Sequence, residues 1–128
     1  RIHNFNYLKE ALKGTEDKLI LPKACENSRP SWFGFLITCR EGVDRNQIVQ
    51  MIEAKGVQTR MLFAGNLTKH PCFDQMRATG KGYRIAGTLE NTDRIMRDTF
   101  WIGVYPGMTD EMLEAMANAI KDAVNGVK

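Results

Sequence analysis

Cysteine is scarce and badly placed for a staple. The chain has three (Cys25, Cys39 and Cys72), an odd number at wide spacings, which suggests neither a disulfide framework nor a CxxC metal site. The plain reading is three reduced thiols in a cytoplasmic protein. Long apolar runs are missing too: none approaches the roughly 20 residues that span a bilayer. The first residues show no basic-then-apolar signal peptide, so no membrane partner is expected. Charge of one sign is not concentrated anywhere. The formal net charge is +3, and acids are interleaved with bases along the chain. A nucleic-acid binder gathers Lys and Arg on one face, so nucleic acid is not an expected partner either. The mild basic surplus suits a phosphorylated small molecule. Catalytic signatures are equally thin. There is no G-x-S-x-G elbow, no phosphate-cradling Gly-rich loop and no HExxH. No carboxylate pair stands out for acid–base work, and the Asp and Glu residues read as helix caps and solvated faces. No internal repeat or low-complexity segment is present.

What is there describes one ordinary domain. The 128 residues are 43% hydrophobic and 26% charged, enough to bury a core without staples. Ile2, Phe5, Leu8 and Leu12 recur at three- and four-residue steps, which predicts a helix over about 2–13 ending at Gly14. With Arg1 rather than Met in front of a helix already under way, the expectation is a piece of a longer protein. A short apolar stretch, Leu19-Ile20-Leu21, ends at Pro22. Residues 32–39 are aromatic and β-branched and form the clearest strand, with both faces buried or one face packed by aromatics. Asp44 followed by Gln47 resembles a capping box for a helix to about Lys55, with Ile48, Val49, Met51 and Ile52 as its buried stripe. Val57–Phe63 reads as the next strand, and 64–87 as a long loop with one short helix near 72–78. Asn91 or Thr92 is the expected cap of a helix through Asp98. Phe100–Val104 is a short strand, Tyr105-Pro106-Gly107 a turn, and Thr109 the cap of the last helix. The four-residue recurrence of Met108, Met112, Met116, Ile120 and Val124 is core rather than a cofactor box. The fold class is therefore α+β: a small antiparallel sheet with helices packed on one side.

Candidate chemistry concentrates in Thr59–Phe73, where a strand delivers polar residues onto a Gly-bearing loop. Arg60 is suited to fork onto a phosphate or carboxylate. Asn66, Thr68 and His70 suit sugar hydroxyls or phosphate oxygens, although an ordinary polar connection explains them equally well. His3, the other histidine, reads as an exposed or partly packed helix residue. In Arg29-Pro30-Ser31-Trp32-Phe33 the aromatics are either ring-stacking groups or core. In Asn91-Thr92-Asp93-Arg94 a helix start and Arg94 are placed to hold an anion, or are simply a cap and a solvated Arg.

Three segments, in this order and spacing, resemble the C-terminal region of nucleotide-sugar 3-dehydratases of the CDP-4-keto-6-deoxyglucose type. They are Pro30–Phe35 (PSWFGF), Thr59–Leu67 (TRMLFAGNL), and Asn91–Met96 (NTDRIM) running into Phe100–Gly107 (FWIGVYPG). These enzymes make dideoxy sugars of lipopolysaccharide and belong to the sugar-aminotransferase branch of fold-type-I pyridoxal-phosphate enzymes. The resemblance covers essentially the whole chain. It implies that residues 1–128 form the C-terminal small domain of a longer enzyme. It also implies that the enzyme removes the C3 hydroxyl of a nucleotide-linked 4-keto-6-deoxyhexose with pyridoxamine or pyridoxal phosphate.

The resemblance further implies that the cofactor phosphate site, the Asp facing the pyridine nitrogen and the catalytic base lie in an N-terminal large domain. The dehydratases place His there where the aminotransferases place Lys. No catalytic residue is therefore expected in this chain, and the isolated polypeptide is expected to be inactive. Some members hold a [2Fe–2S] cluster through four clustered Cys, which the three scattered Cys here do not supply, and no metal site is expected. A reductase partner and a homodimer are implied. Arg60 and Arg94 become expected anion or sugar contacts. Phe63, Asn66, Thr68 and His70 become cleft-lining residues, and Trp32 and Phe33 its walls. Two other readings fit the same pattern: a sugar-aminotransferase lobe, and a non-enzymatic ligand-binding or regulatory α+β domain.

Overall fold

The computed structural model describes residues 1–127. Four strands, β1 (Leu19–Ile20), β2 (Gly34–Cys39), β3 (Thr59–Met61) and β4 (Thr99–Gly103), form one sheet in the order β1-β2-β4-β3 with every pairing antiparallel. The helices are α1 (Ile2–Ala11), α2 (Arg45–Glu53), α3 (Asp74–Thr79), α4 (Glu90–Asp98) and α5 (Asp110–Gly126). The expected α+β class is what the chain adopts.

Side-chain alternation sorts the sheet into two faces. On β2, Phe35, Ile37 and Cys39 are buried, and on β4 so are Phe100 and Ile102. These residues share one apolar core with Phe5, Leu8 and Leu12 of α1, Ile48 and Ile52 of α2, and Leu113, Ile120 and Val124 of α5. Helices α1, α2 and α5 thus cover a single face. The other face carries Leu36, Trp101 and Arg60, which the register sets side by side across β2, β4 and β3.

Local chemistry fixes several boundaries. The Asp44 carboxylate accepts from the Asn46 and Gln47 amides and starts α2, as its sequence position predicts. The Thr109 hydroxyl accepts from the Met112 amide and starts α5. At the far end of α5, Lys18 Nζ donates to the carbonyls of Val124 and Val127 at 2.9 and 2.6 Å, satisfying groups that a helix end leaves orphaned. The Asn4 amide, buried at the start of α1, donates to Tyr105 O at 2.7 Å and pins the turn before α5.

Four expectations need correction. Leu19–Ile20 is a strand, so the sheet has four members rather than three. Helix α4 begins at Glu90, with Leu89 as its cap and no side-chain cap bond, so Asn91 and Thr92 lie inside its first turn. The methionine stripe does not stay inside. Met112 is exposed, and the buried line on α5 is Leu113, Ala117, Ile120 and Val124. A four-residue step gains about 40° per repeat on a helix with 3.6 residues per turn, so it cannot follow one face. Met51 is likewise exposed while its neighbours Val49 and Ile52 are buried.

Residues 62–89, between β3 and α4, contain two single-turn 3₁₀ segments, Leu67–Lys69 and Pro71–Phe73, and then α3. Most of this excursion is exposed. Among the described residues, no helix is long and apolar enough to cross a membrane.

Candidate functional site

The open face of the sheet carries a pair of aromatic rings, Trp101 and Phe33, beside the Met61 carbonyl. Gly34 has no side chain, and a Cβ there would stand 2.5 Å from Trp101 Cε3. The Trp101 ring occupies that space. Phe33, 70% exposed, lies against it with ring centroids 5.2 Å apart and planes tilted by 54°. Trp101 Nε1 donates to Met61 O at 3.2 Å, and the Phe63 amide donates to the same oxygen at 2.7 Å. The Trp101 ring and the Phe63 backbone thereby meet at Met61 O, at the end of β3. Phe63 is 80% exposed and holds a left-handed backbone with φ +49.

Arg60 stands opposite Trp101 in the sheet register. With the Gln58 amide oxygen turned toward it, the guanidinium donates to that oxygen at 3.0 and 2.8 Å, and it also donates to Thr59 O at 3.2 Å. Among the described residues no acidic group neutralises it. A neutral amide orients the fork and leaves its charge available for an anion. Arg60 borders a groove of about 510 Å³ whose other walls include Gln58, Trp101, Tyr105, Met108 and Met112.

The loop beyond Phe63 is knotted onto α4. Asn66 is buried, its Oδ1 accepting from the Thr68 amide at 3.0 Å and the Thr68 hydroxyl at 2.7 Å, and its Nδ2 donating to Asp93 Oδ1 at 2.7 Å. Lys69 Nζ pairs with the same Asp93 oxygen at 3.0 Å. The bond from Asn66, then that from Lys69, holds the Asp93 carboxyl below its usual range. His70 Nε2 donates to Ala64 O at 2.6 Å. Arg77 donates to the carbonyls of Thr68 and His70 and pairs with Asp74. Thr68 also borders a second, half-open cavity of about 250 Å³, lined by Leu67, Phe73, Met76, Arg77 and Tyr83.

The residues singled out from sequence therefore fall into three places. Arg60, Phe33 and Phe63 sit on or beside the open face. Asn66, Thr68 and His70 spend their side-chain polar groups largely within the loop, and Arg94 is exposed on α4, adjacent to the pinned Asp93. Trp32 instead stacks on Phe5, centroids 5.2 Å apart and planes 14° off parallel, and packs against the core. Trp101 and Asp93 were assigned no role in advance. Both lay within the matched segments, but their partners are set by sheet register and by a contact across 27 residues.

A pyridoxal-type cofactor wants a cation for its phosphate and a carboxylate facing its ring nitrogen. The larger groove at Arg60 offers cations and rings but no acid, and the Glu53 carboxylate in the adjoining groove accepts from the Thr59 hydroxyl. These residues do not make a complete cofactor site. Among the described residues no three His, Cys, Asp or Glu side chains gather into a metal-sized group. Cys39 is buried while Cys25 and Cys72 are exposed.

Comparison with known proteins supplies the wider context. The model of the DegT/DnrJ/EryC1/StrS aminotransferase family matches residues 1–121. The chain is 46% identical over 121 residues to the lipopolysaccharide biosynthesis protein RfbH of Salmonella typhimurium, covering 93% of this chain and 26% of that protein. It is 44% identical over 126 residues to dTDP-4-dehydro-2,6-dideoxy-D-glucose 3-dehydratase of Saccharopolyspora spinosa, covering 97% of this chain and 26% of that protein. It superposes with TM-score 0.73 and 19% identity on E. coli GDP-4-keto-6-deoxy-D-mannose-3-dehydratase with bound hydrated PLP, covering 92% of this chain and 29% of that one. The chain thus spans about a quarter of the length of these curated relatives.

Proposed function

From the premise that this chain belongs to the DegT/DnrJ/EryC1/StrS aminotransferase family, we propose that residues 1–128 form the C-terminal small domain of a nucleotide-sugar 3-dehydratase. In this reading the intact cytoplasmic enzyme removes the C3 hydroxyl of a nucleotide-linked 4-keto-6-deoxyhexose in dideoxysugar or lipopolysaccharide biosynthesis. CDP is the favoured nucleotide, by resemblance. The observation that carries the reading is identity of 44–46% across nearly the whole chain to RfbH and to a dTDP-sugar 3-dehydratase.

The chain's own residues supply recognition rather than bond-breaking. Arg60, charged and amide-oriented, forks onto the sugar's diphosphate. Phe33, Trp101 and Phe63 offer ring faces to the sugar or base and keep water from it. Arg94 adds a second cation at the edge of the loop, and Thr68 and His70 line the approach. Pyridoxamine or pyridoxal phosphate is held by residues outside this chain, as is the base, so the isolated polypeptide is inactive. The further requirements, a reductase partner and a homodimer, rest on the family resemblance.

The test is turnover by the intact protein. Loaded with pyridoxamine phosphate and offered CDP-4-keto-6-deoxyglucose, it should yield, by mass spectrometry, a sugar lacking the C3 hydroxyl. Sugar returned unchanged sinks the reading. An amino sugar formed with an amino-acid donor would make the protein an aminotransferase instead.

A further inference from the structure

Resting on that reading, we propose that Asn66, tied to the Asp93 carboxylate that Lys69 also holds, is a positioning residue: it latches the loop bearing Phe63 onto α4 and so sets Phe63 toward the substrate.

Asn66 is only 3% exposed, although Phe63 and Leu67 on either side are 80% and 56% exposed. Both ends of its side-chain amide are bonded within the protein. The oxygen takes both polar hydrogens of Thr68, and the nitrogen reaches across to Asp93. The backbone is pressed onto the helix as well. Gly65 has φ +63, a Cβ there would stand 2.5 Å from Met96 Cγ, and the Asn66 amide points at Met96 Sδ at 3.4 Å. Bulky residues seldom hold a left-handed backbone, and Phe63 gains almost no burial in return for doing so. Such a conformation persists where the surroundings over-determine it, which is a mark of functional sites. Here the surroundings are Met61 O on one side and the Asn66 latch on the other. Arg94 follows Asp93 on the helix by about 100° of rotation. The latch therefore ties the loop to the helix face beside Arg94.

The latch is tested in the intact, cofactor-loaded enzyme. Asn66→Ala should raise KM for the nucleotide 4-keto sugar by about tenfold and change kcat by less than about twofold. Phe63→Ala should do the same. Because one acts through the other, the double variant should be no worse than the worse single, where independent residues would multiply their effects. Asp93→Asn keeps the acceptor and should recover most of the loss seen in Asp93→Ala. Amide exchange over residues 62–70, read without substrate, should quicken in Asn66→Ala. If Asn66→Ala does not fold, Asn66→Ser and Asp93→Ala replace it in the same cycle. Multiplying effects of Asn66→Ala and Phe63→Ala, or unaltered KM and exchange in an active enzyme, overturn the latch alone. A wild-type enzyme that turns over no nucleotide sugar overturns the function and this role together.

Discussion

Across the sheet and its margins, residues that point toward the helices and residues that point away meet different demands. Toward the helices, Phe35, Ile37, Phe100 and Ile102 are no more than 1% exposed and touch one continuous core. Away from them, Trp101 is half-buried, Phe33 keeps 70% of its surface, and Arg60 keeps an unneutralised charge. The two rings pack together beside that cation, an arrangement the core does not require. The inner face accounts for folding, and the outer face is free to serve recognition.

The sharpest way to break that division is to damage the inner face. Phe100→Ala, at a fully buried position, should cost about 3–5 kcal/mol of stability in a denaturant titration. A loss below that of a surface substitution would mean the core is not where it is described. Gly34→Ala probes the seam between the faces. Its new methyl enters the space of Trp101 Cε3 and approaches Ile102 O, so it should cost about 1–3 kcal/mol and shift the tryptophan emission. Unchanged emission would show that Trp101 does not lie over Gly34. Asp44→Ala removes the cap of α2 and should cost about 1 kcal/mol, leaving substrate KM of the intact enzyme alone because α2 lies on the inner side. A pH dependence is expected as well. Burial pushes the Cys39 thiol from 9.0 to about 11, with the Asp98 charge adding to it. A folded pKa above the unfolded one means that this contribution is fully present below about pH 9 and is lost as pH rises toward 11. Stability of wild type relative to Cys39→Ala should narrow across that window.

The inner face was largely legible in the sequence because its signals are local. A β-branched run marks β2, and Asp44 and Thr109 stand where caps belong. Leu19–Ile20 was not readable as a strand because two residues show no alternation; only pairing with Thr38 and Cys39 makes it one. The start of α4 was misplaced because Asn91 and Thr92 have cap chemistry while the helix begins a residue earlier without a side-chain cap. On the outer face, residue types such as Arg60 and Phe63 could be picked out, but not what holds them. Trp101 becomes part of the site through its register with Leu36 and Arg60, and Asn66 finds Asp93 only once the excursion folds back. Its polar side chain reads as free in sequence and is bonded at both ends within the structure.

The claim that the outer face recognises the substrate's anion is most directly tested at Arg60. Nucleotide-sugar affinity should be measured by calorimetry on the intact enzyme, wild type against Arg60→Ala, together with the thermal midpoint. Loss of a charge-assisted fork should weaken binding about tenfold or more, with the midpoint unmoved because the side chain is exposed. Equal affinity in the two proteins would contradict the account.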